Sequence, residues 1–490
     1  MNSKIFICTA LMLISAGSFS VCGQGDKYIK MRNVKANVDF AWVTGSMDFR
    51  ENHSFGSTAL TAKPMPQKVA EGITSLKPSM IRQFILENFN IEKENGELDF
   101  TLLDQNLRAL NATGAVISAV ICIKPKSAYP KADQMTWKPD NIKRWQYIIG
   151  ELVKRYSVDN KYVTYWGIGN EVNNETAGGT PFHIPNPKDY FEWYKMTIEP
   201  VLKVFPEAKV GGPSFAGSNG LNEKFFDEFI GLCKKEKVKL DFVSYTMYAN
   251  EPERHVDNAL SIKKVVDKHD SNIEVYVSEC NMWVNIDPIS IKESVTSSRR
   301  AAGLAAILQE YHQRANFIKT NHYHIFDQFA DPNEWSYYID PISISREWND
   351  EPYRLGLFEW YGTPYPQFFV YKMLYSMAKN EVAAEVNGTS YQNVRILASH
   401  DSRFATIFLS NYHPTDDPED ITMTIHFKDA REGLSTITVC RIDDAHRWDD
   451  QLNLIPTEHR IAYILKDFRF SIFVPANSVV MVTFDYDAKL

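Results

Sequence analysis

The chain has 490 residues, too long for one ordinary domain and sized for a large α/β domain plus a smaller one. Its 44% hydrophobic and 23% charged residues are those of a globular chain with a sizeable core, which argues against disorder. A formal net charge of −8 with no Lys/Arg run argues against nucleic acid as a partner, since phosphate binding needs a basic footprint.

Residues 1–23 read as an export signal. Lys4 supplies the positive start, Ile5 to Ile14 form the apolar stretch, and Val21-Cys22-Gly23 before Gln24 reads as the cleavage site. The stretch is too short to span a membrane, so the mature chain is expected in the periplasm or medium. Lipidation at Cys22 is the alternative, with the bulk of Val21 against it. Cys122, Cys233, Cys280 and Cys440 remain, widely spaced and without a CxxC pair, and read as buried single thiols.

From residue 36 short apolar strands alternate with amphipathic helical stretches. The strands expected are Ala36–Val43, Ser79–Ile85, Ala115–Lys124, Val163–Glu171, Ala208–Ser214, Asp241–Tyr248, Glu274–Asn281 and Thr320–Asp327. Eight strand–helix alternations predict an α/β fold of the (β/α)8 TIM-barrel type over residues 36–379. No GxGxxG follows the first strand, which removes the nucleotide-binding open sheet. Residues 380–490 are short alternating runs, a β-sandwich pattern, to which an N-terminal strand from 24–35 is expected to add.

Barrel function collects at the carboxyl ends of the strands. Those ends are Arg82, Lys124, Asn170-Glu171, Ser214, Tyr248, Glu279 and Asp327. A glutamate closing one strand is often only a salt-bridge partner or helix cap. Two glutamates closing the fourth and seventh strands are another matter. Paired carboxylates across a barrel mouth serve glycoside hydrolysis by the retaining route, in which one donates a proton to the leaving oxygen and the other attacks the anomeric carbon.

The run Trp166 to Asn173, with Glu279 closing Val275–Asn281, resembles glycosidases whose acid/base Asn-Glu ends the fourth strand and whose nucleophile ends the seventh. More narrowly, the chain resembles glycoside hydrolase family 39, which includes β-xylosidases and α-L-iduronidases. The matches run along the chain: Ile81-Arg82, Leu152 to Tyr156, Val210 to Ser214, Asp241 to Ser244, Asp327, Gly356-Leu357 with Gly362 to Pro364, and Arg441 to His446. The resemblance implies Glu171 as acid/base and Glu279 as nucleophile. It further implies Asn170 on the sugar 2-hydroxyl, Tyr248 orienting the nucleophile, Arg82 keeping it ionised, and Asp327 on substrate hydroxyls.

The chain also departs from that pattern. Arg82-Gln83-Phe84 stands where Arg-x-His is common, Thr246 where a histidine is usual, and Val172 where proline follows Asn-Glu. Gly-Ile-Gly-Asn-Glu is closer to α-L-arabinofuranosidases of a related family. Trp283 and Trp335 are candidates for stacking on sugar faces, and His324 for substrate contact. His322 and His324 share a strand face, but no third ligand sits at metal spacing. His183 lies on a loop that is a candidate pocket wall.

The expectation is a retaining exo-glycosidase that acts on an oligosaccharide or glycoside and uses no cofactor or metal. An arabinofuranosidase-like enzyme, or a non-catalytic glycan-binding barrel, are the alternatives.

Overall fold

In the computed structural model, residues 31–57, 60–131, 133–174, 181–217, 220–283, 297–329, 331, 355–388 and 391–487 are described. The expected export signal, with Cys22, and Trp335 lie outside them. The first strand, β1 (Arg32–Ser46), does not enter the barrel. This corrects the expected first barrel strand over Ala36–Val43 and the barrel start at residue 36. Its Val34, Ala36, Val38 and Phe40 are buried while the residues between them are not, the alternation of a sheet with one covered face.

The closed barrel begins instead at β2 (His53–Ser57) and continues through β3 (Met80–Ile85), β4 (Val116–Ile121) and β5 (Val163–Ile168). It closes through β6 (Lys209–Phe215), β7 (Phe242–Tyr248), β8 (Glu274–Asn281) and β9 (Lys319–Tyr323), with β9 paired to β2. All eight strand pairings are parallel, and the strands are buried almost throughout, because helices cover the outside and side chains fill the inside. Met80, Phe242 and Tyr276, with Tyr165 against them, plug the amino end of the barrel. The mouth is therefore at the carboxyl ends.

The remaining strands are β10 (Asn380–Val386), β11 (Val394–His400), β12 (Phe404–Asn411), β13 (Ile421–Lys428), β14 (Gly433–Ile442), β15 (Glu458–Ile464), β16 (Phe468–Val474) and β17 (Ser478–Asp485). With β1 they form one nine-stranded sheet in the order β15-β14-β17-β12-β11-β10-β1-β13-β16. The sheet folds over on itself like a sandwich, so that Phe470 of β16 meets Phe484 of β17 with ring centroids 5.5 Å apart. Val38, Ile425, Ile472 and Val482 share that core.

The helix Ser298–Ala315 fixes the sheet to the barrel: Ser410 donates to Gln309 (2.5 Å) and Arg395 pairs with Glu310 (2.9 Å). Among the described residues no helix is long and apolar enough to cross a membrane. Cys122, Cys233, Cys280 and Cys440 are free and buried.

Candidate active site

Beyond β5 the chain turns through Gly169 (φ 81°), Asn170 and Glu171 (φ 44°). A Cβ at residue 169 would sit 2.8 Å from Val172 Cγ1 and 3.0 Å from the Trp193 ring, so the turn needs glycine. Glu171 has no such excuse. Its left-handed backbone costs on the order of 1–3 kcal/mol, and such strain persists where surrounding structure over-determines it. Here the Gly169 N–H donates to Ile121 O (3.1 Å) and the Glu171 N–H to Ser214 O (2.8 Å), tying the turn to the strands on both sides.

Glu279 reaches the mouth by a different device. Along β7 and β8 the register steps from Tyr245–Val277 to Thr246–Glu279, leaving one extra residue in β8. A bulge of this kind re-aims the following side chain. It sets Glu279, only 5% exposed, beside the alternate residues of β7.

Those alternate residues, Ser244, Thr246 and Tyr248, point the same way because side chains in a strand alternate. Each touches a different part of the site. The Ser244 hydroxyl lies 3.1 Å from that of Ser214, Thr246 Oγ1 donates to Glu171 Oε1 (2.8 Å), and Tyr248 OH donates to Glu279 Oε2 (2.7 Å). Buried Arg82 joins the parts, with Nη1 donating to Glu279 Oε1 (3.2 Å) and Nη2 to Asn170 Oδ1 (2.7 Å) and Ser214 Oγ (3.0 Å). Phe84 lies under its guanidinium, 4.3 Å from centroid to Cζ.

The two carboxyls therefore differ in surroundings. Glu279 accepts a charge-assisted bond on one oxygen and a phenolic bond on the other, both suited to an anion. Glu171 has no cation in contact among the described residues. Burial, then the nearby Glu279 charge, push its carboxyl up to about 7, against which the Thr246 and Asn174 hydrogen bonds and Arg82 pull down. The arrangement thus sets one carboxyl with a raised proton affinity beside one held by a cation and a phenol.

Other sequence candidates have protein partners of their own. Asp327, expected on substrate hydroxyls, is buried and ties a loop: Oδ1 accepts from the Gly356 N–H and Oδ2 from Tyr365 OH, both at 2.9 Å. His324 is buried with Nδ1 2.7 Å from Phe326 O, and His322 has Nε2 3.2 Å from Leu355 O. Burial and then Arg300 pull His322 down to about 3. Among the described residues no group of three or more His, Cys, Asp or Glu is placed to hold a metal.

Trp283 is 53% exposed just beyond β8, edge-on to Tyr248. Lys124 is buried, donating to Pro181 O (3.2 Å) and Asp133 O, and burial pulls it down to about 8. His183 is buried on its loop, its N–H bonded to Gln134 O.

Sequence reasoning gave no role to Ser214, Thr246 or Arg300. Ser214 was read only as the carboxyl end of its strand, and Thr246 shares a face of β7 with Tyr248, a signal available from strand alternation. Arg300 had none: it reaches from the helix Ser298–Ala315 to Trp283 O, Asn281 Oδ1 and Met282 O, each at 3.2 Å, and holds the chain beyond Glu279.

A β-xylosidase of Geobacillus stearothermophilus is 24% identical over 117 residues, 23% of this chain and 22% of that protein. An α-1,4-L-rhamnosidase of Formosa agariphila is 27% identical over 177 residues, 32% of this chain and 35% of that protein. The chain thus spans about a fifth to a third of the length of these curated relatives.

Among solved structures, the monomeric β-xylosidase from Caulobacter crescentus CB15 superposes with a TM-score of 0.71 at 17% identity, over 93% of this chain and all of that one, which establishes a shared fold. The profile of glycosyl hydrolases family 39 matches residues 97–452, a stretch that holds Glu171, Glu279 and most of the barrel. The chain belongs to glycosyl hydrolases family 39.

Proposed function

We propose that the protein is a retaining exo-glycosidase that removes a terminal sugar, a β-xyloside or related pentoside, by double displacement. The observation that carries this reading is the contrast between the two carboxyls. Glu279 is held by Arg82 and Tyr248, while burial pushes Glu171 up to about 7.

In the first step a Glu279 oxygen bonds to the anomeric carbon as the bond to the leaving oxygen breaks, and Glu171 gives that oxygen its proton. Glu279 is then an ester and has lost its charge. The repulsion that helped keep Glu171 protonated goes with it, so the Glu171 carboxylate is ready to accept a proton from water. The water oxygen bonds to the anomeric carbon, the ester bond breaks, and the sugar leaves with its configuration retained. Asn170, fixed by Arg82, is positioned for the 2-hydroxyl, and Trp283 for the sugar face.

An arabinofuranosidase-like specificity is the second reading, favoured by the wording Gly-Ile-Gly-Asn-Glu at residues 167–171. We place the enzyme outside the cytoplasm, on the export pattern of residues 1–23, with lipidation at Cys22 as the variant of that reading.

The test is a panel of aryl β-xylosides, α-L-arabinofuranosides, α-L-rhamnosides, galactosides and iduronides, with the first-formed anomer followed by NMR. Turnover of a pentoside with retention supports the reading. First release of the inverted anomer, or no turnover of any member, overturns it.

A further inference from the structure

We infer that a groove on the accessory sheet is a second, non-catalytic site for a neutral saccharide, built around Trp42. The groove holds about 530 Å³ and runs between β1, β10, β11 and the end of the helix Ser298–Ala315. That end precedes β9, so the groove lies toward the amino ends of the barrel strands, away from the mouth that holds Glu171 and Glu279.

The sequence builds the groove through an interruption in β1. As far as Asp39 the strand is paired on both sides, with β10 and with β13. The register with β10 then shifts between Asp39 and Val43 and again between Val43 and Gly45, and pairing with β13 ends at Asp39. Those shifts break the alternation, and Trp42 and Thr44 come to line the same groove as Asn37 and Asp39.

The Trp42 side chain, in a residue 66% exposed, makes no hydrogen bond, ring contact or cation contact among the described residues. An indole left open in this way is costly in water, at roughly 25 cal/mol per Å² of apolar surface that a ligand could cover.

The chemistry around it fits a sugar ring. An indole face accepts the C–H face of a pyranose or furanose, while planar carboxylate and amide groups bond adjacent hydroxyls at its edge. Asp39, Glu381 and Glu385 line the groove with Asn37 and Lys428. Among the described residues the side chains of Glu385 and Lys428 have no hydrogen-bond or ion-pair partner and remain open to a ligand, their backbones being paired with Asn37 and Asp39 of β1. The carboxylates outnumber the cations, so the groove repels anionic glycans and selects neutral ones. Its volume lies within the roughly 300–1,000 Å³ of small-ligand sites, enough for one or two sugar rings.

The test is affinity electrophoresis of the full chain through gels containing arabinan, galactomannan or neutral xylan, with polygalacturonate as the anionic control. The expected result is retardation by at least one neutral polysaccharide, weakened at least tenfold by Trp42→Ala and clearly reduced by Glu385→Ala. Hydrolysis of an aryl glycoside by both variants should stay within twofold of wild type. Because binding is read without turnover, the outcome is separate from that of the proposed reaction. Equal retardation of wild type and Trp42→Ala, no retardation in any neutral gel, or retardation by polygalacturonate alone overturns the inference. So does self-association on sizing columns that Trp42→Ala abolishes, since the groove would then serve a second copy of the chain.

Discussion

The Thr246 hydroxyl donates to Glu171 Oε1 at 2.8 Å, and it is the strongest single interaction pulling that carboxyl down against burial and the Glu279 charge. In the proposed reaction this pair sets where the Glu171 acid loses its proton. A hydrogen bond to a charged group is worth about 1.5–3 kcal/mol, and one pH unit corresponds to about 1.4 kcal/mol. Thr246→Val should therefore move the basic limb of the kcat/KM profile upward by about one pH unit, and Thr246→Ser should restore it. A profile that keeps its midpoint in Thr246→Val would deny Thr246 this role.

Linkage gives the sign of a second effect. The folded Glu171 carboxyl, pushed up to about 7 from an ordinary 4.5, holds its proton more tightly than the unfolded chain does. Its contribution to stability is full below pH 4.5 and is lost as pH rises through about 7. Glu171→Gln, which stays neutral, should accordingly be more stable than wild type at pH 8, by an amount on the order of 3 kcal/mol at most, and no more stable at pH 4. Denaturant unfolding at the two pH values measures it.

Arg82 touches three partners through two nitrogens, a geometry that a lysine ammonium does not reproduce. Arg82→Lys should keep the charge near Glu279 yet lower kcat/KM about 10- to 100-fold through loss of the Asn170 and Ser214 contacts. Arg82→Met leaves Glu279 buried without its cation and should destabilise the fold by about 3–5 kcal/mol as well. Steady-state kinetics beside thermal melts separate the two effects.

Gly169→Ala should be severe although the residue touches no substrate. The new methyl meets Val172 and the Trp193 ring at about van der Waals overlap, and the backbone sits at φ 81°. Loss of several °C in melting temperature with a fall in kcat is expected, since the turn carries Asn170 and Glu171. Wild-type behaviour would show that the turn adapts.

Much of this was written in the chain, and the exceptions have physical causes. Strands β3, β4 and β5 are short, largely apolar runs buried at most positions, whereas β9, Lys319-Thr320-Asn321-His322-Tyr323, is legible only from the rhythm of strand and helix. β2 is His53-Ser54-Phe55-Gly56-Ser57, five residues with one large hydrophobe, and offers no such run. Its place was given instead to Ala36–Val43, whose alternation of Ala36, Asn37, Val38, Asp39 and Phe40 is in fact the mark of a sheet with one covered face.

At the site, Glu171 and Glu279 stand out because each closes a strand. The bulge that aims Glu279 and the loop that occupies Asp327 depend on pairing and on residues far along the chain, including Gly356 and Tyr365, and left no local trace.

The most direct test of the proposed chemistry is covalent trapping. A 2-deoxy-2-fluoro glycoside with a good leaving group, matched to the sugar the enzyme turns over, slows both steps but lets the first accumulate, and peptide mass mapping locates the bound sugar. The account predicts one sugar per chain, on Glu279, with Glu279→Gln unlabelled. A sugar attached to any other residue, or none attached while the matching aryl glycoside is hydrolysed, would contradict it.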